Sequence, residues 1–307
     1  MQIRQVCRRS AGAAADTIGI AAPQRTGNPE KQGKIMADSP TIQGGTAASE
    51  TLTGTAEQDF IWGQGGADTL IGGAGSDRLD SGEYDQGARP DYIGDRLDGG
   101  DGNDELNGGS GNDLLIGGAG TNYLIGNGGY DTAIYAGARG DYTVAMSNGA
   151  PVGVASTAGP TDTFNTVERL SFSDISIAYD IDGNAGRTFR LYQAALNREP
   201  DDQGLGWWLN HADHGLGWEN IAAGFMQSPE WAKLYGADPS DSAFIASLYR
   251  NALHREFDQG GMDYYLDKLD NGATRAQLLV WFSESPENQA AVIGQIRNGI
   301  EYELFTG

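Results

Sequence analysis

Cysteine is almost absent from this 307-residue chain: Cys7 stands alone, which excludes an internal disulfide and any cysteine metal cluster. Export does not require disulfides, so the scarcity leaves the compartment open. No apolar run approaches the ~18 residues of a membrane span. Basic residues are few, 20 Lys and Arg against 42 Asp and Glu, for a formal charge of −22. That balance argues against nucleic acid and anionic membrane surfaces as partners. No H-E-x-x-H, no G-x-S-x-G and no Walker loop is present, so the chain reads as non-catalytic. Glycine, by contrast, is plentiful: 47 residues, without the Gly-X-Y period of collagen.

Residues 1–36 are basic and punctuated by Pro and Gly, whereas the chain after Met36 is acidic. They read as a disordered leader, or as an over-extended start with Met36 the initiator. Asp16 interrupts the apolar core that a signal peptide, or a twin-arginine signal at Arg8-Arg9, would need.

An internal repeat dominates the middle third of the chain. Gly72–Asp80, Gly99–Asn107 and Gly108–Ile116 each match G-G-x-G-x-D-x-U-x at every fixed position. Steps of nine from Asp59 land on Asp68, Asp77, Gln86, Asp95, Asp104, Asp113, Asn122 and Asp131. Two residues after each marker stands an apolar residue, from Ile61 and Leu70 to Leu124 and Ala133. A linker would not hold such a register. Hard oxygen donors of this kind suit calcium. Glycine permits positive φ and close approach of backbone to an ion, and the x-U-x triplet makes a very short strand.

Residues 45–134 resemble the RTX, or haemolysin-type, calcium-binding repeat family. The resemblance implies a parallel β-roll over 37–134 that binds several Ca2+ ions, with two nonapeptides to a coil and each loop stacked on the one 18 residues away. It implies metal binding by Asp59, Asp68, Asp77, Asp95, Asp104, Asp113, Asn122 and Asp131. Loop carbonyls assist, around Gly66, Gly73, Gly75, Gly100, Gly102, Gly109, Gly111, Gly118 and Gly120. A constant step of 18 predicts one row of Asp59, Asp77, Asp95, Asp113 and Asp131, and another of Asp68, Gln86, Asp104 and Asn122. Ionised carboxylates ~4.8 Å apart repel by about 3–4 kcal/mol at an effective dielectric of 20, so the roll should need calcium to fold. The favoured sites are those shared by Asp59/Asp77, Asp95/Asp113, Asp113/Asp131 and Asp104/Asn122. Ser81–Ile93 keeps the spacing but loses glycines, with Pro90 where Gly is expected. If it leaves the roll as a loop, the Asp77–Asp95 pairing breaks.

Residues 135–182 turn to period-two strands at Tyr142, Val144 and Met146, at Val152 and Val154, and at Leu170 and Phe172. Asp162–Asp174 resembles the strands that cap many RTX rolls, and an open coil end needs a cap. Arg139-Gly140-Asp141 reads as a turn before a strand rather than an adhesion tripeptide.

Residues 183–307 are helical and duplicated at an offset of 57: Leu191-Tyr192 recurs as Leu248-Tyr249, Arg198-Glu199 as Arg255-Glu256, and Phe225 as Phe282. Ser228-Pro229-Glu230 recurs as Ser285-Pro286-Glu287, each a helix start. Thr274 and Gln277 form a capping box. The region resembles domain of unknown function 4214, and more faintly the phycobilisome linker domains. His211 and His214 read as a solvent-facing pair, because Lys268 replaces His211 in the second copy. Arg198/Asp201 and Arg255/Asp258 read as structural braces. With few clustered carboxylates, residues 185–307 should fold independently of calcium.

The fold class is therefore α+β multidomain: a parallel β-roll, a β cap and an all-α duplicated domain. The resemblance implies an extracellular protein exported unfolded by type I secretion machinery, with Ile293–Gly307 as the candidate signal. Other readings are the targeting tail of an RTX enzyme such as a serralysin-like protease, or a module binding surface polysaccharide or a protein.

Overall fold

In the computed structural model, the apolar U side chains among the described residues sit in short strands of three or six residues, next to glycine-rich loops. Residues 41–82, 94–157, 159–236 and 238–305 are described. The expectations for the leader, and for Gln86, Ala88 and Pro90, lie outside them. The roll strands are β1 (Ile42–Gly44), β2 (Thr51–Thr53), β3 (Phe60–Trp62), β4 (Thr69–Ala74) and β5 (Arg78–Asp80). After them come β6 (Arg96–Asp101), β7 (Glu105–Ser110), β8 (Leu114–Ile116), β9 (Tyr123–Gly128) and β10 (Thr132–Ile134). Odd strands form one parallel sheet and even strands the other. Ile61, Leu70, Leu79, Leu97, Leu106, Leu115 and Leu124 fill the space between and are fully buried. Burying one such side chain contributes roughly 1.5–3 kcal/mol.

The register corrects the expected rows. Leu52 pairs with Leu70 and Leu97 with Leu115, a step of 18, but Leu70 pairs with Leu97 and Leu79 with Leu106, a step of 27. One nonapeptide of the sequence register thus separates neighbouring rungs, and it is the one poor in glycine and carrying Pro90. In the second half of that stretch the motif's three glycine positions hold Pro90, Asp91 and Ile93, and a β-branched residue strongly disfavours the positive φ that Gly73, Gly75, Gly100 and Gly102 adopt in the loops on either side.

The cap continues both sheets. Its strands are β11 (Tyr142–Ser147), β12 (Ala150–Ser156), β13 (Thr161–Asn165), β14 (Arg169–Ser171) and β15 (Ser176–Ala178). β13 pairs with β9 and β14 with β10, both parallel. Arg139–Asp141 is a short 3-10 turn leading into β11, as a turn reading requires.

The helices are α1 (Asn184–Leu196), α2 (Asp202–Asp213), α3 (Trp218–Met226) and α4 (Pro229–Tyr235), then α5 (Asp241–Ala252), α6 (Gln259–Asp270), α7 (Arg275–Ser283) and α8 (Pro286–Ile296). Both Ser-Pro-Glu serines cap helices, and Thr274 and Gln277 cap α7 reciprocally. Each copy repeats one aromatic packing: Tyr192 meets Phe225 edge-on at 5.0 Å, and Tyr249 meets Phe282 at 5.1 Å. The braces recur too, but their main partner is the Glu of Ser-Pro-Glu. Arg198 grips Glu230 with bonds of 2.6 and 3.0 Å, and Arg255 grips Glu287 with 2.7 and 3.0 Å.

The expected independence of the helices meets a contrary arrangement. After α8 the chain forms β16 (Ile300–Tyr302), which pairs antiparallel with β15 and so joins the roll's even sheet. Ala178, Phe189, Leu205, Val292 and Tyr302 share one buried cluster across that junction. Buried Arg169 bridges Asp180 at 3.1 Å and Asp213 at 2.5 Å, tying β14 to the end of α2. All these elements belong to one compact unit, Ala37–Gly307.

Candidate metal centre

Each marker side chain lies where a loop enters its strand, and each bonds to the coil before it. In the odd sheet Asp59 N donates to Asp77 Oδ1 at 2.7 Å, Asp77 N to Asp104 at 2.8 Å, and Asp104 N to Asn122 Oδ1 at 2.9 Å. In the even sheet Asp68 N donates to Asp95 at 2.5 Å, Asp95 N to Asp113 at 2.7 Å, and Asp113 N to Asp131 at 2.9 Å. The rows are therefore Asp59-Asp77-Asp104-Asn122 and Asp68-Asp95-Asp113-Asp131. Asp77 and Asp95 lie in different rows, whereas the four favoured pairs all persist as neighbours. The longer step exchanges the rows beyond residue 82.

One carboxylate oxygen is spent in each bond. The other, Oδ2 of Asp68, Asp77, Asp104, Asp113 and Asp131, is buried and faces no hydrogen-bond donor. A buried carboxylate oxygen without a donor is costly unless a cation meets it. The first glycine of the motif lies against these oxygens: a Cβ on Gly72 would collide with Asp77 Oδ2 and Gly99 O, and one on Gly99 with Asp104 Oδ2 and Gly117 O. Glycine is thus required where carboxylate and stacked carbonyl converge. The second and third glycines, such as Gly100, Gly102, Gly118 and Gly120, take positive φ and stack closely on the carbonyls of Gly73, Gly75, Gly100 and Gly102. Gly66, Gly109 and Gly111 share that conformation.

Electrostatics follow from burial. Desolvation lifts Asp77 to about 6, its neighbours Asp104 and Asp59 adding to the shift. Desolvation likewise raises Asp68 and Asp104. For Asp113, desolvation and then the charge of Asp131 push the carboxyl well up, and Asp131 is raised by desolvation with Glu168 beside it. Among the described residues no three Asp, Glu, His or Cys side chains converge on one point. An ion here would hence draw part of its shell from backbone carbonyls. All-oxygen ligation of this kind fits Ca2+.

Three members of the ladder escaped sequence reasoning. Glu50 N donates to Asp68 Oδ1 at 2.9 Å; one more step of nine back from Asp59 would have found it. Asp162 Oδ1 accepts Asn122 N at 2.9 Å, and Glu168 Oε2 accepts Asp131 N at 3.0 Å. These two stand 40 and 37 residues beyond their partners, so no periodicity marks them.

Family models agree with this anatomy. Residues 44–79 and 98–133 match the RTX calcium-binding nonapeptide repeat, and 189–235 and 222–292 match the domain of unknown function DUF4214. The chain carries RTX repeats and a DUF4214 domain. The gap between the RTX matches spans the stretch where the step lengthens from 18 to 27. No curated protein matches the chain. Among the described residues no helix is long and apolar enough to cross a membrane. His211 Nδ1 lies 2.8 Å from Trp207 O with its ring tilted against that indole, and His214 is the C-cap of α2.

Proposed function

We propose that this is a non-catalytic, exported calcium-binding protein whose RTX roll folds as calcium is bound outside the cell, and whose helical domain mediates an interaction. The row of buried carboxylate oxygens without donors carries the reading. The ligands proposed are Asp59, Asp68, Asp77, Asp95, Asp104, Asp113 and Asp131, with glycine-loop carbonyls. Bound calcium would neutralise neighbouring carboxylates that otherwise repel. Sites of the extracellular kind bind at ~10⁻⁴–10⁻³ M, which would keep the chain open in a low-calcium cytosol for type I secretion. In the helical domain, exposed Trp207 and its counterpart Tyr264 offer anchors for a surface polysaccharide or protein.

Circular dichroism of the full chain tests the reading. β-structure should grow as calcium rises through the submillimolar to millimolar range, with magnesium a poor substitute. A complete roll in excess chelator would overturn it.

A further inference from the structure

The two rows end differently at the cap. In the odd sheet Asn122 occupies the marker position, and its Nδ2 lies against Gly117 where other rungs place a carboxylate oxygen. That amide donates to Asp162 Oδ1 at 3.0 Å, and Tyr135 OH donates to Asp162 Oδ2 at 3.0 Å. Both oxygens of Asp162 are thereby satisfied, so this end closes on hydrogen bonds alone.

The even row ends on an open carboxylate. Asp131 is fully buried, its Oδ1 accepts Asp113 N, and its Oδ2 has no donor. A Cβ on Gly126 would collide with Asp131 Oδ2 and with Thr166 O together. The repeat loops put the carbonyl of the stacked loop in that place, Gly99 O at Gly72, Gly117 O at Gly99 and Ser81 O at Gly63; here the cap supplies it from Thr166, at φ 52. Two residues on, Glu168 takes the next marker position by accepting Asp131 N. The neighbouring Arg169 is committed to Asp180 and Asp213, so its charge is already balanced.

We propose that the cap turn completes a further divalent-cation site at the end of the even row, formed by Asp131 Oδ2 of the last repeat with the Thr166 carbonyl and the Glu168 carboxylate, both from outside the nonapeptide repeats. Asp162 forms the opposite kind of end, a lock that holds no ion. The proposal rests on the roll binding calcium, and the experiment separates the two.

Crystals of the full chain grown in calcium, measured for anomalous scattering, should show a peak between Asp131 and Glu168 and none between Asn122 and Asp162. Peaks along the rows without one at Asp131 would overturn this site alone; no peaks at all would overturn calcium binding by the roll. In equilibrium dialysis at saturating calcium, Glu168→Gln should bind one ion fewer per chain. Its amide oxygen can still accept from Asp131 N, so a purely structural Glu168 predicts an unchanged count. Asp162→Asn should keep the full count. An unchanged count in folded Glu168→Gln refutes the proposal.

Discussion

Asp113→Asn should act with opposite signs in chelator and in calcium. Asp113 is fully buried between Asp95 and Asp131, joined to each by a backbone-to-carboxylate bond. At the ~4.8 Å between coils, each ionised pair costs about 3–4 kcal/mol at an effective dielectric of 20. In the calcium-free roll Asp113 must either stay ionised between two carboxylates, at a cost of about 6–8 kcal/mol for two such pairs, or take up a proton, as its raised pKa favours. An amide escapes both costs, so ~6–8 kcal/mol is the ceiling of the relief, set against the ~5–15 kcal/mol net stability of a typical domain. Asn122 shows that an amide keeps the ladder bond. Without calcium the variant should thus hold more β-structure than the parent. With calcium it has lost a ligand, so the calcium-induced gain should shrink. Asp59→Asn, with Asp77 its one acidic neighbour in the row, should relieve about half as much. Circular dichroism melts of the full chain in chelator and in millimolar calcium read both arms. Equal loss of structure under both conditions would refute the repulsion argument, as would equal relief from the two variants.

Acid should substitute for calcium. Desolvation raises Asp68, Asp77 and Asp104 in the folded roll, Asp77 to about 6, so the folded state holds more protons than the unfolded one above pH ~4. Stability of the calcium-free roll is then greatest at low pH and is lost as pH rises through 6, which a dichroism titration in chelator would show; a flat profile would contradict it. Arg169→Met leaves Asp180 and Asp213 buried without their partner, and should cost about 3–5 kcal/mol in urea unfolding. Phe225→Ala and Phe282→Ala, at equivalent buried positions of the two helical copies, should each cost about 3–5 kcal/mol in the same assay; a cost under 1 kcal/mol would mean the aromatic packing is not what holds the bundle.

The strand-by-strand content of the roll was legible because a fixed period of nine puts each marker at a loop exit and the apolar residue two positions on inside. The pairing of coils was not, since it depends on whether one nonapeptide contributes a rung. Ser81–Ile93 shows the conflict between spacing and composition: the period counts it in, while missing glycines and Pro90 argue it out. Composition prevailed, and the rows exchanged partners. Asp162 and Glu168 had no periodic signal, for their place is set by how β13 and β14 dock on the last coil. Helix caps were readable because their partners lie close in sequence, and the braces only in part: Asp201 and Asp258 stand near their Arg, whereas the main partners Glu230 and Glu287 lie 32 residues away. The return of Ile300–Tyr302 to the roll was not, because an edge strand of three residues carries too little pattern.

That returning strand changes how calcium and the helices relate. β14, β15 and β16 extend the sheet whose markers include Asp113, Asp131 and Glu168, so the helical domain is built onto the end of the even row. Asn112, one residue before Asp113, donates from Nδ2 to Asp213 O at 3.3 Å, and the Arg169 guanidinium lies 4.9 Å from the centre of the Tyr130 ring, one residue before Asp131. The same Arg169 follows Glu168 directly and holds Asp213 of α2. A cation held at Asp131 would therefore order a turn whose next residue anchors α2, while one at Asp59 lies several coils away. Coupling between ion and helices should be steep at the cap end and fade towards β1, since each coil contacts mainly its neighbours. The helical copies own an aromatic core and their own caps, but their docking surface exists only where the last coil is in place.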